Sequence, residues 1–379
     1  MANTLTSLVP DLYAALDVVS RELVGMIPAV TMDARVDRAA QGQAVRVPVV
    51  PTSASVNITP AMAVPSEADQ TIGNVAITIN KAKSVPFSWE GNEQVGLNSG
   101  VGYGNIRVNQ IAQAMRTLVN EIEADLCALH VRTSRAFGTA GTTPFNTSGD
   151  FTDASEALRI LKDNGAPVQD NQLVLSTAAG ARFLGKQSNA QVQFDSTIMR
   201  QGVFQTLAGL DIRESGQIVN FTKGAGAGYL VNNGAGYPVG ATSVAVDTGT
   251  GAILAGDVVT FAGDTNQYVV ATGVTGAGTL VLAAPGLRRA VADNAAITLI
   301  NNSARNMIFN RSAIVLATRM PERPQEGDMA IDVMTVQDPR SGLAFEVAIY
   351  AGYRKVRYEI ALAWGVQNIK PEHTALLLG

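Results

Sequence analysis

The sequence predicts an α+β fold organised by one long helix, with a smaller all-β domain inserted late in the chain. Three patterns predict it. Apolar residues at Val108, Ile111, Met115, Leu118, Ile122, Leu126 and Leu129 recur at the three- and four-residue gaps of one helix face. Ahead of them, Val75, Ile77 and Ile79 alternate with Ala76, Thr78 and Asn80, the two-residue period of a strand. Behind them, residues 241–300 carry few charges and many short β-prone runs, with turn residues roughly every 8–12 positions.

Taken in order, residues 1–43 read as an N-terminal arm. A first helix is predicted over 8–27, with Leu8, Leu12, Ala15, Val19, Leu23 and Met26 on one stripe. Pro10 is acceptable in its first turn, and Pro28 ends it. Residues 44–90 read as a long two-stranded β arm. VRVPVV and NVAITINKAKSVPFSWE flank a polar, Pro-containing stretch, and the tip lies at 60–67. A two-stranded ribbon alone is marginal in water, so this arm is expected to rest on the chain itself or on a neighbour.

The long helix is predicted over Asn105–Ser134, within a segment 91–149. Asn105 serves as N-cap and Gly138 lies just past the end. About 30 residues would span roughly 45 Å. The opposite face carries Arg116, Asn120, Glu123 and Arg132. With little chain nearby to bury its stripe, the helix reads as a strut that meets neighbours.

Residues 150–225 hold a helix from Thr152 or Asp153 to Gly165, a short strand at 172–176, a short helix in TAAGARFLG, and a loop leading into a strand by 215. The glycine-dense tract 224–240 reads as a hinge. It opens an inserted β domain at 226–301. Residues 302–379 return to the surrounding fold and end in strands, with a DPRSG turn at 338–342.

Composition narrows the function. Of 379 residues, 46% are apolar and 16% charged, a low charge content for a monomer with its whole surface in water. Large cores explain that, and so does extensive protein–protein contact, because obligate interfaces resemble cores. A net charge of −4 argues against a dedicated nucleic-acid binder, which needs clustered cations to displace counterions. One cysteine, Cys127, excludes an intramolecular disulfide and a cysteine-based zinc site. The start of the sequence does not read as a secretory signal, and no run approaches 18 apolar residues. A protein made in a reducing cytosol, without a membrane span, is expected.

No constellation supports catalysis. Cys127 and His130 lie three apart on the long helix, and His373 is the other histidine. Two ligands do not close a zinc site, and a helix interior offers no oxyanion hole for a Cys–His pair. A reactive Cys127 would need a depressed pKa. Gly100, Gly102 and Gly104 form a GxGxG pattern without the lysine of a phosphate loop, and read as a connector. Glu121, Glu123 and Asp125 are expected to point apart. Arg319, Glu322, Arg323, Glu326 and Asp328 fall in RMPERPQEGD, read either as a solvated loop or as ion pairs between subunits. No metal, cofactor or enzymatic activity is expected.

In this order the pieces resemble the major capsid (coat) protein of tailed double-stranded DNA bacteriophages, the Hong-Kong-97-type fold. NVAITINKAKSVPFSWE ahead of the long helix, GVFQTLAGLDIRES, and KVRYEIALAWGVQNIKPE near the end carry the resemblance. The inserted β domain looks like that of the short-tailed-phage coat subfamily. The resemblance implies a spine helix at 105–134 and an extended β-hairpin loop at 44–90 lying over a neighbouring subunit. It implies an axial domain from 150–225 with part of 302–330, and a peripheral sheet completed by the C-terminal strands.

It also implies pentamers and hexamers of an icosahedral head that encloses double-stranded DNA, assembled in the host bacterial cytoplasm as a procapsid that matures. Copies of the chain would be the main partner, with a separate scaffolding protein, a portal, a decoration protein and non-specifically contacted DNA beside them. Some family members crosslink through a lysine of the extended loop. Lys81 and Lys83 lie near the base of the arm, which argues against crosslinking and leaves them as candidate inter-subunit contacts. A cellular nanocompartment shell of the same fold, encapsulin-like, is the alternative reading. A tail or adhesin component and a carboxylate-based hydrolase are more distant ones.

Overall fold

A computed structural model describes residues 10–12, 14–15, 24–49, 60, 73–98, 103–147, 150–186, 206–207, 209–338 and 342–379. Its first half runs β1 (Thr31–Ala39), β2 (Ala44–Val49), β3 (Gly73–Thr78), β4 (Lys81–Glu90), α1 (Gly91–Asn98), α2 (Tyr103–Cys127), β5 (Arg135–Phe137) and α3 (Thr152–Asp163). Then come β6 (Asn171–Leu175), α4 (Thr177–Lys186), β7 (Thr206–Leu207), β8 (Leu210–Glu214) and β9 (Asn220–Phe221). Eight short strands follow: β10 (Leu230–Val231), β11 (Ser243–Asp247), β12 (Ala252–Ile253), β13 (Val258–Phe261), β14 (Gln267–Thr272), β15 (Val274–Thr275), β16 (Gly278–Leu282) and β17 (Ile297–Leu299). The chain closes with β18 (Ser303–Asn310), β19 (Ile314–Pro321), β20 (Ala330–Gln337), β21 (Ala344–Gly352), β22 (Lys355–Asn368) and β23 (Thr374–Leu378).

β22 organises the first sheet. Its length lets it pair with β4 along one side and with β21 and then β19 along the other, all antiparallel. β1 adds in parallel to β19, and β20 to β21. Helix α2 lies on this sheet. Its Ile111, Met115, Leu118, Ile122 and Leu126 are buried with Tyr358, Ile360, Leu362 and Trp364 of β22 in one core. Each such side chain contributes roughly 1.5–3 kcal/mol on leaving water. The predicted stripe is therefore covered by this chain's own C-terminal strands, which lie more than 200 residues away and escape local reading.

Other expectations need correction. α2 spans Tyr103–Cys127 and continues as a 3-10 turn over Ala128–Arg132, so Gly104 and Asn105 lie inside it and Ser134 beyond it. Of the helix predicted at 8–27, residues 10–12 and 14–15 are helical, and Leu12 and Ala15 join the same core. Residues 24–25 are not helical, and Pro28 sits within a 3-10 turn at Ile27–Ala29; most of the remainder lies outside the described residues. The rest of the predicted N-terminal arm supplies β1. Its cue was present, since Met32, Ala34 and Val36 alternate with charged residues.

The predicted 44–90 arm divides. β2 and β3 pair from Ala44↔Thr78 to Val49↔Gly73. β4 turns away and pairs with β22 over ten positions, Lys81↔Trp364 to Glu90↔Lys355. Apart from Pro60, the predicted tip at 60–67 lies outside the described residues.

Among the described residues the second sheet runs β10-β11-β16-β14-β5-β23-β18-β6-β8-β7. Helices α3 and α4 cover part of it, with Leu158, Leu161 and Phe183 over Leu173, Leu175 and Leu377. The strands of 230–299 keep a core of their own around Tyr229, Phe261, Tyr268 and Leu280. They also join the larger sheet, because β14 pairs with β5 through Gln267↔Ala136 and Tyr268↔Arg135. Val258 and Val269 belong to the main core. Gly224, Gly226 and Gly236 of the preceding glycine tract are packed, which corrects the hinge reading at those positions. A Cβ at Gly224 would fall 2.3 Å from the Ala252 carbonyl oxygen, and one at Gly226 would fall 2.7 Å from Ile253 Cγ1. These glycines permit close approach rather than motion.

Candidate assembly surfaces

The β2–β3 ribbon starts from a small core of its own. Ile77 and Ile79 are buried with Ala39, Val315, Ala317 and Ala363, and Val45 and Val47 pack on them. At its base the ribbon rests on the first sheet of the same chain. The alternating Ala44, Arg46 and Pro48, and Asn74, Ala76 and Thr78, face solvent.

Lys81 and Lys83 stand on β4 against α2. Lys81 Nζ lies 2.7 Å from Asp125 Oδ1 and 3.3 Å from Glu121 Oε1, and Lys83 also pairs with Glu121. Burial pulls the Lys81 ammonium down, but its hydrogen bonds to Asp125 and Glu121 outweigh that and hold it above the ordinary lysine value. Asp125 further accepts the Trp364 indole N–H at 2.8 Å. Glu121 and Asp125, one helical turn apart, thus converge on one lysine. Glu123 does point elsewhere. It is not on an exposed face, however, but 1% exposed, and it accepts the amides of Gly25, Met26 and Ile27. Three consecutive donors balance the cost of burying a carboxylate.

The five residues of RMPERPQEGD separate into two groups. Arg319 belongs to strand β19, not to a loop, and is buried; its guanidinium reaches Asp33 Oδ2 at 3.0 Å and the Asp33 carbonyl at 2.7 Å. Arg323 is half-buried and pairs with Glu346 at 3.0 Å and with Asp328 at 3.5 Å. Glu346, itself buried, also meets Arg38 at 2.6 Å, as a charge contact rather than an aligned hydrogen bond. Asp328 accepts the Tyr350 hydroxyl at 3.2 Å. Glu322 and Glu326 face solvent. Local sequence could not show that β1 and β21 would supply Asp33, Arg38 and Glu346.

Cys127 and His130 are both buried and inert. Burial, followed by the Glu123 charge, pushes the Cys127 thiol up to about 12, the opposite of an activated nucleophile. His130 Nδ1 lies 3.1 Å from the Cys127 carbonyl oxygen, and burial pushes the imidazole down to about 4. Nearby, Arg305 lies over the Phe221 ring, 4.8 Å from its centroid; burial lowers its pKa to about 10, with Asp257 opposing. His373 is buried near the C-terminus and is likewise lowered by burial. Among the described residues no group of three His, Cys, Asp or Glu side chains could hold a metal ion. No helix among them is long and apolar enough to cross a membrane.

No family model and no curated protein matches this sequence. Among solved structures the chain is similar to the capsid of the cyanophage P-SCSP1u, with a TM-score of 0.50 at 11% identity over 92% of this chain and 86% of that one. It is also similar to a structure from Mycobacterium phage Che8, at a TM-score of 0.45, 13% identity and 89% and 84% coverage. A virus-like particle from Pyrococcus furiosus gives 0.43, 12%, 97% and 98%. At such identities the likeness is one of fold. The cyanophage match shows that this mixed α+β architecture is the fold of a phage capsid subunit.

Proposed function

We propose that the chain is the major capsid protein of a tailed phage. It self-assembles into the pentamers and hexamers of an icosahedral head around double-stranded DNA. The observation that supports this is the correspondence with the cyanophage capsid over 92% of the chain. In this reading α2 is the spine helix, the β2–β3 ribbon begins the extended loop laid over a neighbouring subunit, and α3, α4, β6 and β8 belong to the axial domain. Residues 226–301 are the insertion of the short-tailed-phage subfamily. The chain performs no reaction. Its partners are copies of itself, a separate scaffolding protein, a portal, a decoration protein and loosely held DNA.

The physics suits a container. Contacts of a few kcal/mol correspond to roughly millimolar pairwise affinity. Each is reversible enough for errors to anneal, yet many made at once hold a subunit in place. The net charge of −4 leaves packaged DNA mobile instead of gripping phosphates.

Co-expression with a scaffolding protein, followed by electron microscopy and sedimentation, tests the reading. Closed shells are expected. A chain that stays a 39.6 kDa monomer under every condition would overturn it. Replacing residues 51–72 by a short glycine–serine linker, which lets β2 and β3 stay paired, is expected to keep the monomer folded and abolish stable shells.

A further inference from the structure

Three large apolar side chains are exposed together at one end of the first sheet: Met329 at 82%, Ile331 at 43% and Tyr353 at 91%. The ladder brings them there, because Ala330 sits across from Tyr350 and Gly352 across from Lys355. The start of β20, the end of β21 and the start of β22 therefore share one corner. β20 is also the last strand of its sheet.

Charges of both signs precede and follow these side chains along the chain. Glu322 and Glu326 are exposed on the loop entering β20, and Arg354 and Lys355 are exposed in the β21–β22 turn. Among the described residues none of the four forms an ion pair. Their neighbours are already engaged, Arg323 with Glu346 and Asp328, and Arg357 with Glu359. The corner thus presents an uncovered aromatic and a methionine, types enriched at interface centres, with a basic turn following the aromatic and an acidic loop running into the methionine.

We propose that this corner is a contact between copies of the chain. The acidic 322–326 edge of one copy lies against the basic 354–355 turn of another, and Met329, Ile331 and Tyr353 fill the centre. A partner of single sign would meet repulsion on half the corner, whereas a second copy carries both signs. The proposal rests on the shell reading and gives that shell one of its contacts. It also moves the inter-subunit role away from Arg319 and Arg323, which are held within the chain, to Glu322 and Glu326 with Arg354 and Lys355 opposite.

The test uses the full chain in sedimentation at low and moderate salt, with shell yield measured beside it. The pair Met329→Ser and Tyr353→Ser is expected to weaken self-association by about 10- to 100-fold while the melting temperature stays unchanged. Glu322→Lys with Glu326→Lys, and separately Arg354→Asp with Lys355→Glu, should each weaken it. A chain carrying all four reversals should recover, a rescue that misfolding could not produce. Wild-type shell yield from the serine variant, or no recovery in the fourfold reversal, would overturn the corner contact and leave the shell reading standing. A wild-type chain that never associates would overturn both.

Discussion

The Glu123 carboxylate and the Met26 amide stand 97 residues apart in sequence and 2.7 Å apart in space. The same carboxylate takes Gly25 at 2.8 Å and Ile27 at 3.0 Å, so one side chain of α2 sets the path by which the chain enters β1. Gly25 is required at that crossing, since a Cβ there would fall 2.5 Å from the Glu214 carbonyl oxygen.

Replacing Glu123 by alanine leaves three inward-facing amides without an acceptor. The expected loss of stability is about 3 kcal/mol or more, read as a lower midpoint in urea with an unchanged slope. Glu123→Gln keeps one oxygen acceptor and should lose less. Equal midpoints for wild type and alanine would refute the role of this carboxylate.

His130 makes stability depend on acid. Its imidazole is lowered to about 4 in the fold, against about 6.5 in an unfolded chain. Above pH 6.5 both states are neutral and the residue contributes no pH dependence. As pH falls from 6.5 towards 4, the unfolded chain takes up a proton that the buried site refuses, and stability declines by up to about 3 kcal/mol. Unfolding free energies across that range should fall more steeply in wild type than in His130→Gln. Parallel curves would show that His130 titrates normally.

Gly365 governs the base of the ribbon. A Cβ there would lie 2.1 Å from the Thr78 carbonyl oxygen and 3.2 Å from Ile79 Cα. Gly365→Ala must push the end of β3 off β22, at about 1–3 kcal/mol, and detach Ile77 and Ile79 from their core. Faster proteolysis near residues 73–80 is the expected signature, and an unaltered cleavage pattern would contradict it.

The ends of the 226–301 segment are adjacent, since the Lys223 amide donates to Asn302 Oδ1 at 2.9 Å. Excising the segment and joining its ends with a short glycine linker should leave the first sheet and α2 folded by circular dichroism. Stability should still drop, because β5 loses β14 and the main core loses Val258 and Val269. Complete loss of structure would mean that the segment is integral to the fold.

Much of the fold was legible because it is written in local periodicity. The stripe from Val108 to Leu129, the strands of 241–300 and the helix after Thr152 could be read from their spacing alone. Sites were less legible. Arg319 and Arg323 read as loop charges, either solvated or paired between subunits, because their partners Asp33 and Glu346 come from distant strands of the same chain. Glu123 read as solvent-facing because nothing near it in sequence needed an acceptor.

By itself the sequence determined the long amphipathic helix, the helix after Thr152 and the short strands of 241–300. Only the tertiary structure decided what covers α2, that β4 leaves the ribbon for β22, and which charges stay unpaired at the surface. The physical reason is range. Periodicity records the side a residue turns to the interior, whereas the partner that waits there is chosen by strand pairings that join residues hundreds of positions apart.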